Sequence, residues 1–202
     1  MVETAGLPAP IVTSVGRFGD RWGLVMSRAP GPAFAEAMAG RPVAPAALRA
    51  MARLHLRIHA APGRGMPDLK ARLAANIAGA GLLGSRRTDL LAGLAGMPDG
   101  DRLCHGDFHP WNVLGPLDRP VVIDWLDAGC GPPAADACRS WVLMRPLLAE
   151  AADAYVAAYA AAAGIAPGAI AAWLPYVAAA RLAEGVESAS LLRMVAGEDG
   201  FA

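Results

Sequence analysis

Residues 103–114 read LCHGDFHPWNVL, two histidines, an aspartate and an asparagine packed into one stretch with apolar residues at both ends. Polar density of this kind reads as a loop hung between short apolar runs rather than as part of a helix. Shortly after it, RPVVIDWLDAGCGPP carries the β-branched run Val121, Val122 and Ile123, which ends at Asp124. A strand there delivers a carboxylate at its tip. Any fold for the chain must therefore hold short strands with acidic ends in its middle.

The flanks read differently. Residues 11–27, IVTSVGRFGDRWGLVMS, give two apolar runs around the turn formers Gly19 and Asp20, the pattern of a β-hairpin. Pro30, Gly31 and Pro32 then break the chain. From Ala44 to Ala60, Leu48, Met51, Leu54 or His55, and Ile58 share one helical face while Arg49, Arg53 and Arg57 share another. Further helices are expected over 67–81 and 86–96, separated by Gly81, Gly84 and Ser85, and helical patterning returns after Pro132 and Pro133 to about residue 195. The reading is an α+β chain, a small β element followed by a mainly helical body.

At 202 residues the chain suits one domain, or one large and one small lobe. Its 18 basic and 18 acidic residues balance, so no general footprint for nucleic acid or an anionic membrane is present. Cys104, Cys130 and Cys138 form no CxxC pair and read as reduced, buried small hydrophobes. MVETAGLPAP lacks the basic and apolar regions of a secretory signal, and a cytoplasmic protein is expected. Residues 154–180 have no charge and enough length for a bilayer core of about 30 Å. Gly164, Pro167, Gly168 and Pro175 interrupt them, and the Pro167–Gly168 step reads as a turn between two buried helices.

Asp107, Asn112 and Asp124 supply two carboxylates and one amide oxygen, the hard donors that suit Mg²⁺ while it keeps phosphate and water in its other positions. Phosphoryl transfer needs little else from side chains, because its loose transition state is served by positioning and charge neutralisation. His55 and His59 stand four apart in a helix. With no third ligand nearby in sequence they read as a packed or hydrogen-bonded pair. Trp111, Trp125, Trp141 and Trp173 read as core or pocket-wall residues.

His105, Asp107 and Asn112 match HxDxxxxN, and with Ile123-Asp124-Trp125 they resemble the catalytic and metal-binding loops of aminoglycoside phosphotransferases and choline-kinase-like enzymes. GLPAP at 6–10, WGLVM at 22–26, RLHLRIH at 53–59 and PAAD at 133–136 extend the resemblance over most of the chain. It implies a protein-kinase-like fold with a truncated small β N-lobe, residues 1–30, carrying the hairpin and hinge, and a helical C-lobe, residues 31–202. It implies ATP as co-substrate, Mg²⁺ as cofactor and a small hydroxyl-bearing acceptor as partner. Asp107 would be the catalytic base, His105 the loop-supporting histidine, Asn112 and Asp124 the metal ligands, and Met26 and Arg28 nucleotide contacts at the hinge. His109 either lines the site or packs; Asp127 is either a turn residue or a polar neighbour of the metal. Asp136 would bond to nearby backbone, which at sequence level is an N-cap of a helix beginning near Ala137.

The Gly-rich loop, strand lysine and helix glutamate of such enzymes have no counterpart before GLPAP, and Lys70 is the sole lysine. Arg17 or Arg21 replacing the cation has no support in spacing. A catalytically weak, kinase-like binding module is thus the alternative. The expectation is that in-frame coding sequence upstream supplies the Gly-rich turn and the lysine strand. Glu150, Asp153, Glu184 and Glu187 either build an acidic pocket for a polycationic acceptor or lie on solvated helix faces.

Overall fold

The computed structural model describes residues 5–38, 45–82, 84–186 and 188–201. The hairpin forms from β1 (Val12–Phe18) and β2 (Arg21–Met26), paired antiparallel with Phe18 opposite Arg21. Gly19 takes φ +62° at the first position of the two-residue turn, where an L side chain is strained. The hairpin packs little of itself: Val15, Phe18, Trp22 and Leu24 are all exposed.

After α1 (Phe34–Met38), α2 (Pro45–Ala60) buries Leu48, Met51, Leu54, His55, Ile58 and His59 and turns Arg49, Arg53 and Arg57 outward, as its periodicity predicts. α3 (Leu69–Gly79) starts at Asp68, whose carboxylate accepts from the Ala71 N–H at 2.7 Å and so satisfies one orphan donor of the first turn. α4 (Gly84–Gly96) begins earlier than expected, and Gly84 and Ser85 lie inside it rather than in the connection.

The middle of the chain holds two ribbons of two strands each. β3 (Arg102–Cys104) pairs antiparallel with β6 (Gly129–Gly131), and β4 (Val113–Leu114) with β5 (Val121–Val122). The N-terminal segment lies on this second ribbon: the Val122 N–H donates to Pro8 O at 2.7 Å, the Gly115 N–H to Pro32 O at 2.9 Å, and Ala33 bridges Leu114. A side chain at Gly31 would strike Gly115 Cα at 2.9 Å, so this close approach requires glycine.

The helical body continues with α5 (Pro133–Met144), α6 (Ala149–Ala163), α7 (Pro167–Ala171), α8 (Leu174–Leu182) and α9 (Ala189–Ala196). The alanine-rich segment breaks three residues before the expected turn. Gly164 ends α6 in the left-handed conformation, φ +68°, and Pro167 starts α7, where its missing N–H has no partner to lose. Among the described residues no single helix is long and apolar enough to cross a membrane; the pair 149–163 and 167–182 has the length but bends by 115°. α6 packs along α2, and Trp141, Trp173, Tyr155, Tyr159 and Phe108 fill the core between the helices and the loop.

Two core expectations are corrected. Of the four tryptophans expected in the core or on a pocket wall, Trp141 and Trp173 are core, while Trp111 is 38% exposed and Trp125 half-buried, so the core alternative is corrected for these two. Cys104 and Cys138 are buried, but Cys130 is only partly so.

Candidate active site

The loop after β3 is shaped by a single buried carboxylate. Asp136 lies within the first turn of α5, not at its N-cap, which is Pro132. Its Oδ2 accepts from the His105 N–H at 2.7 Å and its Oδ1 from the Gly106 N–H at 2.9 Å. Gly106 turns the chain at φ +81°, and a side chain there would meet Asp127 O at 2.0 Å. Only glycine fits.

Behind Asp136 stand the paired histidines of α2. A carboxylate only accepts, so His55 Nε2 and His59 Nε2 donate to Asp136 Oδ2, at 2.9 and 3.1 Å. Their Nδ1 atoms then accept from the hydroxyls of Tyr155 and Tyr159 at 2.6 and 2.7 Å. His55, His59 and Asp136 bring one possible ligand atom each within 4.8 Å of the others, so the third group that the sequence withholds does exist in space. Each facing atom is nevertheless committed to a hydrogen bond, as in a hydrogen-bonded pair extended by a third member. Burial pushes the Asp136 carboxyl up, but the electrostatic attraction and hydrogen bonds of the His55 and His59 N–H groups outweigh it and leave the group well below the usual carboxylate range. Burial, reinforced by His59, lowers His55 to about 3, which keeps it neutral.

From this anchor the loop carries its side chains outward. His105 Nε2 donates to Ile123 O at 3.1 Å, and its Nδ1 accepts from the Asp107 N–H at 3.2 Å. One imidazole thus ties the backbone of Asp107 to the residue before Asp124. Asn112 Nδ2 donates to Asp107 O at 3.0 Å and to Asp107 Oδ2 at 2.9 Å. The Ile123 N–H donates to Asn112 O at 3.0 Å, which fixes Asn112 beside the strand leading to Asp124. Asp124 is the one non-glycine with positive φ, +60°, among the described residues. Backbone strain of this kind marks positions held by their surroundings.

His109 sits 3.4 Å from Asp107 Oδ2 through Nε2, while its buried Nδ1 has no partner among the described residues. Burial pushes the Asp107 carboxyl up, and the hydrogen bond and charge of His109, with Arg139 and His105, pull it below the ordinary value. It is therefore ionised at neutral pH. Asp107 Oδ1, Asn112 Oδ1 and the exposed Asp124 carboxylate take no partner among the described residues. A pinned amide oxygen and two carboxylates facing open space are a donor set that fits Mg²⁺.

The other candidates fall around this centre. Met26 pairs with Val12 at the end of the hairpin, and Arg28 is exposed on the connection leading to Ala33. Asp127 Oδ2 stands 3.7 Å from Arg139 Nη2. Among the described residues these acids do not gather into an open acidic pocket: Glu184 is paired with Arg139 at 2.7 Å and with Arg181, and Asp153 accepts from Trp141 Nε1 at 2.7 Å. Glu150 is exposed on α6, and Glu187 lies outside the described residues. Lys70 is spent on Asp99 at 2.7 Å and on the carbonyls of Met97 and Ala95. Sequence reasoning missed Tyr155, Tyr159 and Arg139, whose Nε donates to Gly106 O. One signal was present: the two tyrosines stand four apart in an alanine-rich helix, the same spacing as the two histidines.

A family model described as "Phosphotransferase enzyme family" matches residues 2–173. Among solved structures, a thermostable mutant of the aminoglycoside phosphotransferase APH(4)-Ia in ternary complex with ADP and hygromycin B superposes with TM-score 0.67 at 20% identity, covering 95% of this chain and 71% of that one. An aminoglycoside-3'-phosphotransferase of type VIII gives TM-score 0.58 at 25% identity, with 91% and 75% covered. An ethanolamine kinase of Plasmodium vivax gives 0.60 at 11%, with 98% and 64% covered. No curated protein matches the sequence.

Proposed function

The chain belongs to the phosphotransferase enzyme family and has the protein-kinase-like fold of its structural neighbours, a small β element and a helical body; from this premise we propose that it moves the terminal phosphoryl group of ATP to a hydroxyl of a small molecule. The observation that carries the reading is the loop itself: Asp107 and Asn112 are pinned through backbone and side chain, yet each keeps one oxygen without a partner. Neighbours solved with ADP, AMP-PNP and GDP support a nucleotide as co-substrate.

In this reading Asp107 Oδ2 is held by Asn112 and His109, and Oδ1 accepts the hydroxyl of the acceptor and aims its oxygen at the phosphorus. An ionised aspartate is a weak base, which suffices when the proton leaves late. Asn112 Oδ1 and Asp124 are the residues that would hold Mg²⁺, whose contribution is to neutralise charge on the phosphates. His105 is the positioning residue between the two loops. Residues 1–30 are taken as the small-lobe portion, with Met26 and Arg28 meeting the nucleotide at the hinge.

A second reading, a kinase-like binding module with little turnover, draws on Lys70. The chain's sole lysine is committed to Asp99 and two carbonyls, so it is not at hand for phosphates. Phosphorus NMR on the 202-residue chain with ATP, Mg²⁺ and a set of hydroxyl compounds separates the two. The first reading expects a phosphorylated acceptor, with Asp107→Asn slower by about 10²–10⁴-fold at unchanged melting temperature. Equal turnover by Asp107→Asn removes the assigned role, and Mg²⁺-dependent nucleotide binding without any transfer leaves the second reading.

A further inference from the structure

We propose that the acceptor carries an anionic group, a carboxylate or a phosphate, that docks on Arg72. The inference rests on the reading of Asp107 as the carboxylate that receives the acceptor hydroxyl.

A cavity of about 300 Å³ opens between α3, α5, the loop after β5 and the turn that follows α8, lined by Arg72 and Asn76 with Asp127, Arg139 and Glu184. Among the described residues its lining holds none of the active loop, but Arg72 adjoins that loop. A side chain at Gly106, the residue before Asp107, would lie 2.8 Å from Arg72 Nη2, so the guanidinium stands directly over that backbone. Arg72 and Asn76 are one helical turn apart on the same face of α3 and offer donors side by side.

The charges in the cavity are unequally committed. Glu184 takes the two terminal nitrogens of Arg139, Nη1 and Nη2, at 2.7 and 3.2 Å, and also Arg181. Asp127 stands 3.7 Å from Arg139. These acids are answered by the arginines they touch. Arg72, half-buried, donates to no side chain and enters no ion pair among the described residues. Lys70, two residues before it, shows the contrast, since all three of its bonds are to fixed protein groups. A guanidinium aimed into a cavity without a carboxylate partner is a fork for a planar or tetrahedral oxyanion. The lining charges balance, Arg72 and Arg139 against Asp127 and Glu184, so it is the unpaired Arg72, not a net charge, that favours an anion there.

Three compounds that differ at one carbon test this directly: D-gluconate, D-sorbitol and D-glucamine present a carboxylate, a hydroxymethyl and an ammonium on the same polyol. Binding to the 202-residue chain is read by NMR chemical-shift changes without nucleotide, so the outcome does not depend on phosphoryl transfer. The parent is expected to prefer gluconate by about 10-fold or more, the scale of one charge-assisted hydrogen bond. Arg72→Gln is expected to lose that preference, and Arg72→Lys to keep most of it. Melting temperatures report whether each variant folds, and inorganic phosphate competing with gluconate in the parent but not in Arg72→Gln shows that the oxyanion is what binds. A parent that favours glucamine, treats the three alike or binds none overturns the proposal, as does an unchanged preference in Arg72→Gln. Gluconate selectivity in a chain that transfers no phosphoryl group from ATP to any of the hydroxyl compounds sustains the cavity assignment while removing the phosphotransferase reading.

Discussion

The loop after β3 and the hairpin β1–β2 are both short β-associated segments rich in turn residues, yet they are held in opposite ways. The loop rests on a buried carboxylate with four donors, two from backbone and two from imidazoles, and each imidazole is backed by a tyrosine. The hairpin is tied by its own ladder and leaves Val15 63% and Trp22 75% exposed. Buried polar networks that are fully satisfied fix one geometry, because any rearrangement leaves a donor or acceptor unpaired in low dielectric. Exposed apolar side chains impose no such condition. The chain thus concentrates its rigidity where chemistry needs geometry.

The sharpest way to break this comparison is to remove the anchor. Asp136→Asn takes the charge from a buried cluster and sets amide donors against the donors of His55, His59 and the loop. A destabilisation of about 3–5 kcal/mol is expected in denaturant unfolding. A loss below about 1 kcal/mol would show that the loop is held by something other than this carboxylate.

A smaller effect follows from pH. His55 is lowered from 6.5 to about 3, so between those values the unfolded chain binds a proton that the folded chain refuses. Stability is therefore present above pH 6.5 and is lost as pH falls toward 3, with Asp136, also depressed, adding loss in the same direction at the acid end. Melting temperatures across this range should decline steadily, and less steeply in His55→Gln; a flat profile in the parent would contradict a neutral, buried His55.

The smallest effects belong to the hairpin. Val15→Ser and Trp22→Ser are expected to change stability by no more than about 0.5 kcal/mol. A cost near 2 kcal/mol in either would show that this face is covered in solution.

The same contrast explains what the sequence disclosed. His105, Asp107, Asn112 and Asp124 were legible because the local spacing of a loop and the strand after it is a property of a few consecutive residues. The hairpin turn was legible in Gly19, and the α2 face in its 3.6-residue period. Asp136 was expected to bond nearby backbone and does so at His105 and Gly106, but its side-chain partners were not legible, because Asp136 meets His55 and His59 across 81 and 77 residues, and the tyrosines meet the histidines across 100. Periodicity marks those residues as inward but does not say what they face. Boundaries moved for local reasons: Gly164 can stop a helix in the left-handed region before the Pro167–Gly168 step is reached, and nothing in Gly84 or Ser85 forbids a first helical turn.

The central claim is that the pinned loop presents Asn112 and Asp124 to the metal of a bound nucleotide. It is tested most directly by calorimetric titration of the 202-residue chain with AMP-PNP, with and without Mg²⁺, in the parent, Asn112→Ala and Asp124→Ala. The account expects Mg²⁺ to strengthen binding in the parent and that dependence to vanish or fall sharply in both variants, each of which lacks one of the two oxygen donors. Mg²⁺ dependence of equal size in all three proteins would contradict it.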